Sequence, residues 1–335
     1  MKRALICGIS GQDGSYLAKL LIDKGYKVWG TSRDAQTAGF RNLHTLGIHQ
    51  QVHLLSMVPT DFRSVLIALQ RSEPDEVYFL AGQSSVGLSF EQPAETLESI
   101  SMGTLNLLEA CRLVNPEMRI YHAGSSECFG DIGDCPATEE TPFRPRSPYA
   151  VAKASAHWLV ANYREAYGLY CCSGMLFNHE SPLRPARFVT RKIIATAVRI
   201  AQGSGETLEL GNIDVVRDWG WAPEYVEAMW RMLQNDQADD FIIATGTSHA
   251  LQTFVANTFE QLGMDWQQHV RHNPAFSRPS DLSISRADPS KAKKHLNWQA
   301  SYQMPDVIRS MIKAEKTPRT STDETEATPT HTTHA

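Results

Sequence analysis

A chain of 335 residues with 42% hydrophobic and 21% charged side chains can bury a full core, as one large domain or two smaller ones. Its formal net charge of −5, with no block of Lys or Arg, excludes the electrostatic footprint of a nucleic-acid or anionic-membrane partner and points to chemistry on small molecules. No apolar run is long enough to span a bilayer and the first residues lead straight into a strand pattern, so a cytoplasmic location is expected.

Residues 3–7 form a short apolar run, followed by Gly8-Ile-Ser-Gly11-Gln12-Asp13-Gly14 and then by helical periodicity that ends at Gly25. This predicts strand, glycine turn and helix. Glycines let a backbone turn tightly and approach a pyrophosphate, which then rests on the amides and positive dipole end of the helix. The spacing alone also fits a plain tight turn; its place between a first strand and a first helix favours dinucleotide binding. A second strand at residues 27–30 runs into Thr31-Ser32-Arg33-Asp34. At this turn a carboxylate binds a ribose 2′-hydroxyl and selects NAD, whereas an arginine binds a 2′-phosphate and selects NADP. Arg33 comes first and points to NADP, while the adjacent Asp34 keeps NAD possible.

Residues 77–80 read as a buried strand leading into Ala81-Gly82-Gln83-Ser84-Ser85, and residues 104–112 as a strongly amphipathic helix. The next strand, 119–123, delivers Ser125 and Glu127 at its carboxyl end, where ligands bind in open α/β sheets. After a Pro-rich loop, Ser147-Pro148-Tyr149-Ala-Val-Ala-Lys153 opens a helix expected to reach about residue 167. A strand at 170–177 then ends in Asn178-His179-Glu180-Ser181-Pro182. The alternation predicts an α/β fold, with a Rossmann-like doubly wound parallel sheet over residues 1–180. Less regular elements follow: a helix at 190–202, a strand at 208–210, Arg217-Asp218-Trp219-Gly220, and a helix from Tyr225 whose apolar face reads as core. They predict a smaller C-terminal α/β substrate-binding lobe over 181–316, with segments free to interleave. Residues 317–335, rich in Thr, Pro, Glu and His, are expected to be a disordered tail. The six cysteines lack a Cys-x-x-Cys spacing and read as reduced filler, and no metal site is expected.

The chemistry concentrates between residues 122 and 153. Tyr149 and Lys153 are four residues apart in a run of helix formers and share a face, so the ammonium is expected beside the phenol. A nearby cation favours the phenolate and makes tyrosine usable as a base. Ser125 is expected to hydrogen-bond the same substrate oxygen. Glu127, by strand alternation, is expected on the same side as a second acid/base.

Gly8-x-x-Gly11-x-x-Gly14 with Tyr149-x-x-x-Lys153 and an upstream Ser125 resembles the extended short-chain dehydrogenase/reductase family. The stretches at 8–17, 145–153, 176–182, 188–193, 217–220 and 225–230 narrow the resemblance to the GDP-mannose 4,6-dehydratase family, and together they reach across nearly everything except the tail. The resemblance implies catalysis by Ser125, where the family has Thr, with Glu127, Tyr149 and Lys153. It implies that Tyr149 takes the C4 hydroxyl proton of GDP-mannose while bound NADP takes the hydride, that Glu127 removes the C5 proton, and that the hydride returns to C6 after water leaves. Cofactor contacts are implied at Gly8, Gly11, Gln12, Asp13, Gly14, Arg33, Leu80, Ala81, Gln83, Tyr149, Lys153, His179 and Arg184. Contacts to the nucleotide sugar are implied at Ser84, Ser85, Asn178, Lys192, Leu210, Gly211, Arg217, Arg278 and Asp281. A homodimer or homotetramer is expected, because residues 33–41 resemble the family segment that crosses between subunits. The chain departs from the family pattern at Asp34, Val58 and Leu183, which bear on cofactor and subunit contacts more than on the reaction. A 4-keto sugar reductase or epimerase of the same superfamily, and a pseudoenzyme that senses NADP(H), are the rival readings.

Overall fold

The computed structural model describes residues 1–276 and 279–317. Along the chain the strands are β1 (Arg3–Cys7), β2 (Lys27–Ser32), β3 (Val52–Ser56), β4 (Glu76–Phe79), β5 (Arg119–Ala123) and β6 (Cys171–Leu176). They are followed by β7 (Asn178–Glu180), β8 (Leu208–Leu210), β9 (Val216–Trp221), β10 (Phe241–Ile243), β11 (Ser248–Ala250) and β12 (Val270–His272).

Seven strands form one parallel sheet in the order β10-β6-β5-β4-β1-β2-β3. The order reverses between β1 and β4, which makes the crevice beyond their carboxyl ends the place for a ligand. The inner strands are largely apolar because both faces are covered, with Glu76, His122 and Ser173 as buried polar exceptions. In β1, Ala4 and Ile6 pack with Leu17, Leu21, Tyr225 and Met229 on one face, while Leu5 and Cys7 pack with Val65, Leu107 and Val160 on the other. The period of two thus sends neighbouring residues into two separate layers.

The helix Gln12–Asp23 lies against the helix Ala222–Met232, so a segment from the second half of the chain returns to cover the first. Strand β10 returns in the same way and forms one edge of the large sheet. The remaining strands make a sheet ordered β11-β9-β7 and a pair β12-β8. A third cluster built on Ile193, Ile194, Trp219, Phe254, Val307 and Met311 fills this second half.

Most expected elements appear within a residue or two. The helix expected to open at Ser147-Pro148-Tyr149 runs Pro148–Tyr167, with Ser147 accepting the Ala150 N–H and Pro148 in its first turn. One correction concerns cysteine: five are buried, but Cys135 is exposed in a loop and fills nothing. Among the described residues no helix is long and apolar enough to cross a membrane. No group of three or more His, Cys, Asp or Glu side chains is arranged to hold a metal among them. Arg278 and the tail from residue 318 lie outside the described residues.

Candidate active site

The glycine turn sits at the switch point. Gly8 has φ +89°, and a Cβ there would lie 3.0 Å from the Ala81 nitrogen, so only a residue without a side chain lets β1 and the end of β4 meet this closely. A Cβ on Gly14 would come 2.4 Å from the Gly8 carbonyl oxygen, so the helix start is packed directly onto the turn. Gly11 precedes the helix and offers no side-chain cap, leaving first-turn amides open to an anion. Backbone cradle and helix terminus together fit a dinucleotide pyrophosphate.

The side chains of Gln12 and Asp13 turn away toward β7. Gln12 donates to the His179 carbonyl at 3.2 Å and accepts from the Ser181 hydroxyl at 2.8 Å, and Asp13 pairs with His179 Nε2 at 2.9 Å. Leu80 and Ala81 are half-buried at the end of β4, where the Leu80 N–H donates to the Cys7 carbonyl. Gln83 donates to the Ser85 carbonyl and to Thr96, which holds the loop that carries exposed Ser84 and the helix cap Ser85.

Arg33 is exposed just beyond β2. Its neighbour Asp34 is occupied by its own turn, accepting from the Gln36 N–H at 2.9 Å and the Thr37 hydroxyl at 2.8 Å. The carboxylate that sequence alone sets against a 2′-phosphate therefore has local partners. Val58 is 38% exposed, whereas Leu183 is buried, its N–H donating to Ser181.

At the carboxyl end of β5, strand alternation does not apply, which corrects the geometry expected for Glu127. The strand stops at Ala123, and Ser125 caps a single 3₁₀ turn, Ser126–Phe129, by accepting the Glu127 N–H at 3.3 Å. Ser125 and Glu127 are brought together by this cap instead. Tyr149 is 9% exposed; burial raises its phenol pKa, Ser125 and Arg184 act to lower it, and Glu127 opposes them.

Lys153 lies on the helix of Tyr149 with its ammonium over that ring. Its Nζ donates to the Ala123 carbonyl at 2.8 Å and lies 5.9 Å from the Tyr149 ring centre, and burial pulls its pKa down to about 8. Arg184, which the resemblance assigns to the cofactor, also acts to lower the phenol pKa. Arg184 stacks over Phe188 at 3.8 Å and pairs with Glu180, which is buried and accepts from Thr190. Glu180 and Ser181 are supporting residues that sequence reasoning did not single out, although polar residues directly after a buried strand are a usable signal.

The second half holds the remaining expected contacts. Asn178 opens β7 in register with Trp219. Lys192 donates to the Glu209 carbonyl at 2.7 Å beneath the Phe276 ring, Leu210 is buried at the end of β8, and Gly211 follows it half-buried. Arg217 is 6% exposed and forks between the Val216 carbonyl and Asp281, each at 2.9 Å.

The family model described as GDP-mannose 4,6 dehydratase matches residues 5–311. A relative, GDP-mannose 4,6 dehydratase 1 of Arabidopsis thaliana, is 43% identical over 323 residues, which cover 93% of this chain and 89% of the relative. The chain belongs to this family. Two solved structures share the fold of this GDP-mannose 4,6-dehydratase family member. A dTDP-glucose 4,6-dehydratase from Streptomyces venezuelae with NAD and TYD bound has TM-score 0.84 at 21% identity, covering 93% of this chain and 96% of that one. The protein RMD from Pseudomonas aeruginosa, complexed with NADPH, has TM-score 0.77 at 23% identity, covering 93% and 98%.

In this family member the expected residues fall into three groups. Ser125, Glu127, Tyr149 and Lys153 gather beyond the end of β5, Gln12, Asp13 and His179 interlock at the glycine turn, and Lys192, Arg217 and Asp281 lie with β8 and β9.

Proposed function

We propose that this protein is a dehydratase that converts GDP-mannose to GDP-4-keto-6-deoxymannose with no net change in its nicotinamide cofactor. The observation that carries this reading is Glu127, whose backbone N–H is held by the Ser125 hydroxyl and whose carboxylate is close enough to Tyr149 to act on its phenol. A reductase or epimerase that acts only at C4 has no use for a base at C5, whereas an elimination needs one. When bound, the cofactor supplies a hydride acceptor at C4 and a hydride donor at C6. Tyr149 takes the C4 hydroxyl proton, with Ser125 and Arg184 stabilising the phenolate. Glu127 removes the C5 proton, donates it as the C6 hydroxyl leaves as water, and after taking a proton from solvent returns one to C5 as the 6-deoxy product forms. Lys153 holds the Ala123 carbonyl and so fixes the end of β5 beside the reacting oxygen.

Residues 1–180, with the returning helix and β10, hold the cofactor in this proposal, and the rest of 181–316 holds the sugar nucleotide. Lys192 and Arg217 exchange the Glu209 carbonyl and Asp281 for the substrate diphosphate, which matches them in charge and fork geometry. Purified protein incubated with GDP-mannose is expected to yield a product lighter by one water. A product heavier by one hydride and a proton, or unchanged GDP-mannose, overturns the proposal.

We assign NADP rather than NAD on the exposure of Arg33 and the local engagement of Asp34. Arg33→Ala is expected to weaken NADP binding about ten- to a hundredfold and NAD binding little, since only NADP has a 2′-phosphate to lose. Tighter binding of NAD than NADP by the unaltered protein, measured by titration, overturns this assignment. We also propose a cytoplasmic protein that associates into dimers or tetramers. Support for association comes from Trp158, 62% exposed, with Val151 on the same helix and Leu97 and Met102 exposed on segments packed beside it. Light scattering at micromolar concentration reads the assembly directly.

A further inference from the structure

His179 stands between two acceptors. Nδ1 lies 2.8 Å from the Phe177 carbonyl oxygen and Nε2 lies 2.9 Å from Asp13 Oδ2. A neutral imidazole carries one N–H, so the ring satisfies both acceptors only as an imidazolium. It is 6% exposed, and one face stacks on Tyr225 with ring centres 4.5 Å apart. Gln12 donates to Asp13 at 3.0 Å, so the carboxylate has little freedom to leave.

Asp13 also occupies the first turn of the helix whose terminus, in the proposed function, receives the cofactor diphosphate. A bare carboxylate there would repel a diphosphate and offset the dipole that attracts it. We propose that His179 is a positioning residue whose imidazolium neutralises Asp13, so that the glycine turn is tied to β7 yet keeps its affinity for the cofactor diphosphate. This rests on the dinucleotide reading of the turn. The direction of both pKa shifts agrees: beyond the opposing effect of burial, the pairing raises His179 and lowers Asp13. Arg184 faces both groups, disfavouring the imidazolium and favouring the carboxylate, while the field of Asp13 also reaches Lys153 and Tyr121. Tyr225 beneath the ring is held neutral by its burial.

The test is NADP binding, titrated by calorimetry, in three variants. His179→Gln, which leaves Asp13 charged, is expected to weaken NADP about ten- to a hundredfold. Asp13→Asn is expected to bind at least as tightly as the unaltered protein, and the double variant to recover most of the affinity lost by His179→Gln. Wild-type affinity in His179→Gln, or a double variant no tighter than that single one, overturns the proposal. A separate measurement needs no substitution: ¹⁵N NMR of the unaltered protein at pH 7.5 is expected to find both His179 ring nitrogens protonated, and a neutral ring overturns the proposal. An unaltered protein that binds neither NADP nor NAD overturns the dinucleotide reading and this inference together, whereas normal binding in His179→Gln strikes only the inference.

Discussion

Tyr149→Phe is expected to lower turnover by about a hundredfold to ten-thousandfold while leaving cofactor binding largely intact. The substitution keeps the buried ring against Ile100, Ala152 and Ala156 and removes only the oxygen, so the fold has little reason to change. That oxygen is the base that begins the reaction. In this structure burial opposes the phenolate more strongly than Ser125 and Arg184 favour it, and Lys153 is turned to the Ala123 carbonyl. A bound oxidised nicotinamide brings a positive charge that shifts the balance toward phenolate. Steady-state kinetics on GDP-mannose with NADP titrated in parallel checks this, and near-normal turnover would remove Tyr149 from the mechanism.

The second large effect separates two halves of one reaction at a single atom. Glu127→Gln keeps the shape of the side chain and the backbone cap, in which the residue takes part through its N–H rather than its carboxylate. What it loses is the capacity to accept the C5 proton. Oxidation at C4 depends on Tyr149 and its neighbours and is expected to survive, while elimination is expected to fall by about a hundredfold to ten-thousandfold. In a single turnover the variant is expected to accumulate reduced-nicotinamide absorbance beside a trapped 4-keto sugar, where the unaltered protein leaves little net absorbance. In deuterated water the unaltered protein is expected to carry solvent deuterium into C5. Formation of the 6-deoxy product by Glu127→Gln at the unaltered rate, or retention of the original hydrogen at C5, would refute the assigned base.

What sequence alone determined here is whatever depends on near neighbours along the chain. The glycine turn at Gly8, Gly11 and Gly14, the capped helix behind Ser147, the shared face of Tyr149 and Lys153 and the buried parallel strands are set by backbone sterics, helix pitch and apolar periodicity. Those terms act over a few residues, and the residue order specifies them. The tertiary structure decided where polar side chains find partners once the strands are packed. Asp34 turns into its own loop, Lys153 takes the Ala123 carbonyl, and β5 stops at Ala123 so that a cap rather than strand alternation joins Ser125 to Glu127. The pairing of Asp13 with His179 spans 166 positions of sequence, and no local pattern encodes it. It exists because the fold brings the start of the first helix against β7, where a half-buried carboxylate and a buried imidazole favour each other's charged form.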